Sequence, residues 1–342
     1  MAGRPHWISR RTAIAGLGGA SLAGALGVNA SSNHDNAPPE TRRIRLIRDR
    51  QFPVLCYAPQ YVAQQFLEME GFEDIEYVSL GETGSYAEAL IAGKADMSAA
   101  LAVDWIRPIA ERQPITVLSG LHAGCVEIFA NRKVRSIRDL EGRRIAIHGL
   151  GSPERYLLAS ILAYIGLDPE RHVEWVFAHP NDWAGLLIDN RIDAMATFPP
   201  LNYMMHDEGI GHVILNTTTD DPWRHYFCCM VAANRTFAVE NPVASKRALR
   251  AILKANRLCS EQPQVAAEWL VEAGQSPTVD YALRTLNDLP YDTWDIFDPE
   301  DTMRFYALRM RAAGLVDATP RQIIARGTNW GPVTQLKEEL KT

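Results

Sequence analysis

The apolar positions of this chain form one pattern written twice. Residues 85–96, Ser-Tyr-Ala-Glu-Ala-Leu-Ile-Ala-Gly-Lys-Ala-Asp, align without gaps on residues 182–193, Asp-Trp-Ala-Gly-Leu-Leu-Ile-Asp-Asn-Arg-Ile-Asp. Each stretch opens on a residue suited to capping a helix, Ser85 or Asp182, followed at once by a ring, Tyr86 or Trp183. Ser85 and Glu88 have the spacing of a capping box. Each helix ends where positive φ is tolerated, at Gly93 or Asn190, and a short strand follows at 97–101 or 194–198.

Upstream the likeness continues. Residues 45–47 and 145–147 read as opening strands, and Pro59 and Pro153 stand where a first helical turn accepts proline. Apolar residues then recur at helical spacing up to Gly71 and Gly166, and alternating strands follow at 75–78 and 173–176. Each unit therefore reads strand–helix–strand–helix–strand, which predicts a mostly parallel sheet flanked by helices. Residues 126–130 read as a strand leaving the first lobe, and 226–231 as a strand leading back. The last hundred residues predict helices near 243–258, 263–273, 278–288 and 299–313. The expected organisation is an α/β chain of two lobes joined by a two-crossing hinge. Residues 43–125 with 241–342 form lobe 1, and 126–240 form lobe 2.

Composition narrows the function. With 47% hydrophobic and 22% charged residues over 342 positions, the chain belongs with packed globular proteins rather than disordered ones. A net charge of −6 without basic stripes argues against nucleic-acid binding. Residues 1–30 carry Arg4, Arg10 and Arg11, no acid, and a soft Gly/Ala/Leu run from Thr12 to Gly27, the shape of an export signal. Ser9-Arg10-Arg11-Thr12 resembles the twin-arginine export motif, although Ala13 stands where that motif has an aromatic. Cleavage near Ala30, before Ser31, is expected, then a flexible linker over 31–42 and a soluble periplasmic product. Five cysteines, at 56, 125, 228, 229 and 259, are odd in number and irregular in spacing, so they do not form a disulfide framework and read mainly as small buried hydrophobes.

The residues at 57–63 (Tyr-Ala-Pro-Gln-Tyr-Val-Ala), 84–86, 93–96, 136–146 and 190–194, with the Asn241-Pro242 helix start, resemble a known family. It is the periplasmic solute-binding proteins of ABC importers, in the nitrate/sulfonate/taurine branch that includes thiamine-pyrimidine binders. The resemblance spans about residues 43–275. It implies a two-lobed periplasmic-binding-protein type II fold that closes on a small solute and delivers it to a membrane permease. It implies a monomer without cofactor, metal or catalytic residues. A fungal thiamine-pyrimidine synthase shares the fold and pairs a cysteine-rich segment with iron, so Cys228-Cys229 keeps an enzyme as the alternative.

Ligands of such folds sit beyond the carboxyl ends of strands. Tyr57, Tyr86, Trp105 and Trp183 fall at strand ends or helix starts, where core packing and ligand contact both remain open. Asp104 reads as an N-cap or a ligand acceptor. His122 is a structural histidine or a contact, and His148 lies on an exposed turn. Gly149-Leu150-Gly151-Ser152-Pro153 is a glycine-lined helix start, with Gly81 to Ser85 as its counterpart. His179 and Asn181 precede the Asp182 helix, Phe198 with its two prolines shapes a cleft wall, and Cys228 completes the candidate set. Two helix starts and several rings, with no lysine, suggest an organic ligand with one anionic or strongly accepting end and a flat body.

Overall fold

Ten strands form two five-stranded mixed sheets in the computed structural model, which describes residues 37–49, 54–80 and 85–340. The strands are β1 (Arg43–Ile47), β2 (Asp74–Val78), β3 (Met97–Leu101), β4 (Ile115–Ala123), β5 (Glu127–Ala130), β6 (Arg143–Ile147), β7 (Val173–Phe177), β8 (Ala194–Thr197), β9 (His212–Asn216) and β10 (Phe227–Asn234). The first sheet runs β2-β1-β3-β10-β4 and the second β7-β6-β8-β5-β9. The outer three strands of each are parallel, whereas β10 and β5 run antiparallel to both neighbours. Each antiparallel strand is the one that has just entered from the other sheet. The architecture is thus the two-lobed α/β arrangement the repeat predicts. The return crossing falls between Asn216 and Phe227, ahead of the expected boundary at 240.

The helices are α1 (Ala58–Tyr61), α2 (Gln64–Met69), α3 (Tyr86–Ile91), α4 (Ala102–Ala110), α5 (Pro153–Tyr164), α6 (Trp183–Ile188), α7 (Leu201–Asp207), α8 (Arg235–Glu240), α9 (Pro242–Glu261), α10 (Pro263–Glu272), α11 (Val279–Asp288), α12 (Pro299–Ala312), α13 (Pro320–Gly327) and α14 (Gly331–Glu339). The single helix expected after Pro59 is broken at Val62-Ala63 into α1 and α2. Buried Gln60 holds α1 in place, because its amide donates to the Ile47 carbonyl at the end of β1 and accepts from the Ala99 N–H in the middle of β3.

The repeat has a physical basis that its apolar pattern hides. Asp96 accepts from the backbone N–H of Arg45 at 2.7 Å and from its Nε at 3.1 Å. Asp193 does the same for Arg144, at 3.0 and 3.1 Å. Each guanidinium also reaches the carbonyl of the positive-φ residue that ends the helix, Gly93 or Asn190. The Arg144 guanidinium lowers the Asp193 pKa against the opposing effect of burial. One aspartate thus locks helix end to strand start in each lobe.

The expected signal at 1–30 lies outside the described residues. The expected linker is in part docked: Glu40 accepts the N–H groups of Val243 and Ala244 at 3.0 and 2.9 Å. The start of α9, which has no side-chain cap of its own, is satisfied there by a carboxylate of favourable sign. No helix among the described residues is long and apolar enough to cross a membrane.

Candidate functional site

Three tyrosines and two acids meet where the lobes face each other. Tyr57 and Tyr61, one helical turn apart, come from α1 and the turn before it, and Tyr86 opens α3. Their rings pack edge to face, 5.3 Å between Tyr57 and Tyr86 and 6.5 Å between Tyr57 and Tyr61. Burial keeps all three phenols protonated far above neutral pH, so they stand as O–H donors. Asp104 lies in the first turn of α4, which packs against α5 of the other lobe. Arg107 of α4 donates to the Tyr156 hydroxyl of α5 at 3.2 Å, and the Leu55 N–H donates to the Pro199 carbonyl at 3.0 Å.

Asp104 is not the N-cap that one reading expected. The cap position of α4 is Leu101, and Asp104 Oδ2 is buried without a hydrogen-bond partner among the described residues. Burial, and then the charge of Glu154, push its carboxyl well above the ordinary range. Glu154, in the first turn of α5, is raised by the same burial although it accepts the His148 N–H at 2.7 Å. The Tyr61 hydroxyl is buried too, beside that of Tyr86 and near Asp49, and makes no hydrogen bond of ordinary geometry among the described residues. Buried polar atoms are normally satisfied, so the unpaired Asp104 oxygen beside Tyr57 marks a place for a polar guest.

The other expected residues are distributed as follows. Ser85 caps α3, accepting the Glu88 N–H at 3.0 Å, while residues 81–84 of its loop lie outside the described set. Ser152 Oγ donates to the Gly149 carbonyl at 2.7 Å instead of capping α5, and Gly151 is exposed beside it. His148 faces His179 across 6.1 Å on the exposed rim. Asn181 is exposed and donates its N–H to His179, which caps the short turn Pro180–Asp182; Asp182 stands at the cap position of α6 as expected but makes no side-chain capping bond. Trp105 and Trp183 are core residues, with indole N–H groups on the carbonyls of Met230 and Ala178. Phe198 is half-buried before the cis Pro199-Pro200 peptide. A separate cavity of about 210 Å³, lined by Glu127, Asn202, Tyr203, Asn216 and Asp288 among others, meets the expected cleft wall only at Pro199.

His122 and Cys228 lie elsewhere, in a buried cysteine cluster behind Tyr57. All five cysteines are buried and free, as small hydrophobes would be. Nothing in their spacing, however, signals that four of them converge. Two site residues escaped the sequence reading. Tyr61 follows Tyr57 at helical spacing, which could have revealed it, whereas Glu154 looks like an ordinary acid in a first helical turn.

A model of the NMT1-like family matches residues 51–271. The nitrate import ATP-binding protein NrtC of Synechococcus elongatus is 27% identical over 225 residues, 63% of this chain, which spans only 32% of that relative's length. Among solved structures, the periplasmic nitrate-binding protein NrtA of Synechocystis PCC 6803 superposes with a TM-score of 0.74 at 15% identity, over 89% of this chain and 90% of its own. The alkanesulfonate-binding protein SsuA of Xanthomonas axonopodis pv. citri, bound to MOPS, gives 0.67 at 16% identity, over 85% and 99%. A Candida albicans protein described as having the generic periplasmic binding protein fold gives 0.67 at 13%, over 84% and 96%. At these identities the likeness shows a shared fold. The family match covers most of the chain, and the protein belongs to the NMT1-like family.

Proposed function

We propose that this chain is the solute-binding component of an ABC importer, an exported monomer that captures a small organic solute between its lobes and hands it to a membrane permease. The observation that carries the reading is the buried Asp104 carboxyl, whose Oδ2 has no hydrogen-bond partner among the described residues, on α4 where that helix packs against α5 of the other lobe. The named functions of the relatives, nitrate import and alkanesulfonate binding, support it. The chemistry suits one accepting end and a flat body. Phenols and a protonated Asp104 are neutral donors to an anionic oxygen, as buried acids held neutral can be. The tyrosine faces give a ring something to pack on. Closure around the solute removes both from water. An enzyme on the same fold, the alternative the cysteines raised, gains nothing from these groups.

Calorimetry with nitrate, bicarbonate, an alkanesulfonate, benzoate and a pyrimidine carboxylate tests the reading. A ring-bearing acid should bind most tightly, and tight nitrate binding with no response to any ring or sulfonate would overturn the ligand assignment. Export belongs to the same proposal. Lysines in place of Arg10 and Arg11 should hold the chain in the cytoplasm, and normal export of that variant would exclude the twin-arginine route.

A further inference from the structure

Cys56, His122, Cys125 and Cys229 each present one ligand atom, and all four atoms lie within 4.8 Å of one another. All four residues are fully buried or nearly so. The Sγ atoms of Cys125 and Cys229 are 3.9 Å apart, as are those of Cys56 and Cys229. A tetrahedral ion with sulfur ligands at about 2.3 Å has ligand–ligand edges of about 3.8 Å, so these separations match without rearrangement. A disulfide would need about 2.05 Å.

His122 is set up as a ligand. Its Nδ1 lies 2.9 Å from the Gly124 carbonyl and 3.2 Å from that of Ala123, two acceptors that place the ring proton there. Nε2 then carries a lone pair, and it is buried with no hydrogen-bond partner of ordinary geometry among the described residues. A purely structural core histidine would satisfy that nitrogen. A backbone carbonyl on the far nitrogen is instead the arrangement that orients metal-bound imidazoles. The sheet brings the donors together, because Cys229 of β10 pairs with His122 of β4. Register irregularities on either side of Cys229 let its neighbour Cys228 also turn inward, with Sγ 3.1 Å from Cys125 Sγ. That distance is too short for a tetrahedral edge, which leaves Cys228 as a hydrogen-bonding neighbour rather than a ligand.

We infer that these four residues form a closed Cys3His site for a single zinc-class ion, structural rather than catalytic. Three thiolates and an imidazole select soft or borderline metals, and four protein ligands leave no open position for substrate. His122 and Cys125 flank the first crossing between the sheets, Cys229 follows the second, and Cys56 precedes Tyr57. The ion would therefore tie both hinge strands to the turn that carries the tyrosine cluster. The inference is independent of which solute the cleft takes.

The test uses the full chain, purified under reducing conditions, incubated with Zn(II) or Co(II) and desalted. About one equivalent of metal should remain, and the Co(II) form should show thiolate charge-transfer and tetrahedral ligand-field bands. Zn(II) should raise the thermal midpoint. Cys56→Ser, His122→Asn and Cys229→Ser should each lose the metal and the Co(II) spectrum, whereas Cys228→Ser and Cys259→Ser should keep both. If the ligand variants do not fold, the wild-type Co(II) spectrum decides alone. Wild type that takes up no stoichiometric metal with its thiols reduced would overturn the site. So would metal retained in the ligand variants, or a Cys125–Cys228 disulfide found in the reduced preparation.

Discussion

Asp104→Leu is expected to weaken solute binding by about two orders of magnitude, the scale of a lost hydrogen bond to a charged group, whereas Asp104→Asn should stay within a few-fold of wild type. The carboxyl is buried, held toward its neutral form by burial and by Glu154, and has an oxygen with no hydrogen-bond partner among the described residues. An amide reproduces a neutral donor in that place, and leucine does not. The same shift has a sign in stability. A carboxyl whose pKa is raised by folding contributes stability that is complete below its unfolded pKa, about 3.9, and is lost as pH rises through the folded value. The solute-free wild type should therefore lose stability relative to Asp104→Asn as pH climbs from about 4 toward neutrality. At neutral pH the asparagine variant should be the more stable, since it carries no carboxyl that folding must hold protonated where the unfolded chain would ionise it. Thermal midpoints across pH, with calorimetry on the tightest of the five test solutes, measure both effects. Equal binding loss in both variants, with parallel pH profiles, would mean that Asp104 is ionised and does not act as a neutral donor.

Much of the fold was legible because the duplicated unit rests on local chemistry. Gly93 and Asn190 do adopt positive φ, Ser85 does cap its helix, and the strands of the duplicated unit fall within two residues of their expected places, although β10 runs three residues past 231 and β4 and β9 had no expected range. What the two copies do with matched residues was not legible. Tyr86 and Trp183 occupy the same position in the repeat, yet Tyr86 joins the cleft cluster and Trp183 anchors a satellite core with Leu187 and Met195. The difference lies in what each helix packs against, which no local pattern records. Helix α4 starts at Ala102, ahead of the start that an Asp104 cap would give, and its interior Pro108 obscures its extent in the sequence. The cysteine cluster was hidden more deeply. Cys56 and Cys229 are 173 residues apart, and only the register of β10 beside β4 puts His122 within reach.

Trp223→Ala is expected to cost about 3–5 kcal/mol, the range for removing a large buried ring. Trp223 is 2% exposed and sits in the second crossing, between β9 and β10. Its ring centroid lies 5.6 Å from that of Tyr164, at the end of α5 in the second lobe. It lies 5.2 and 6.3 Å from those of Phe305 and Tyr306 on α12. Arg309 extends the cluster, 5.2 Å from the Tyr164 ring and 4.4 Å from that of Phe305, where a cation adds attraction to the ring faces. Alanine would leave a cavity bounded by the crossing, a helix of the second lobe and a helix from the C-terminal segment, none of which can move in without disturbing the others. Phenylalanine should recover roughly half of the loss, because it restores most of the ring contacts but not the full volume. Urea unfolding of the three proteins measures the series. A loss below about 1 kcal/mol for alanine, the level of an ordinary substitution, would show that the crossing does not depend on this ring.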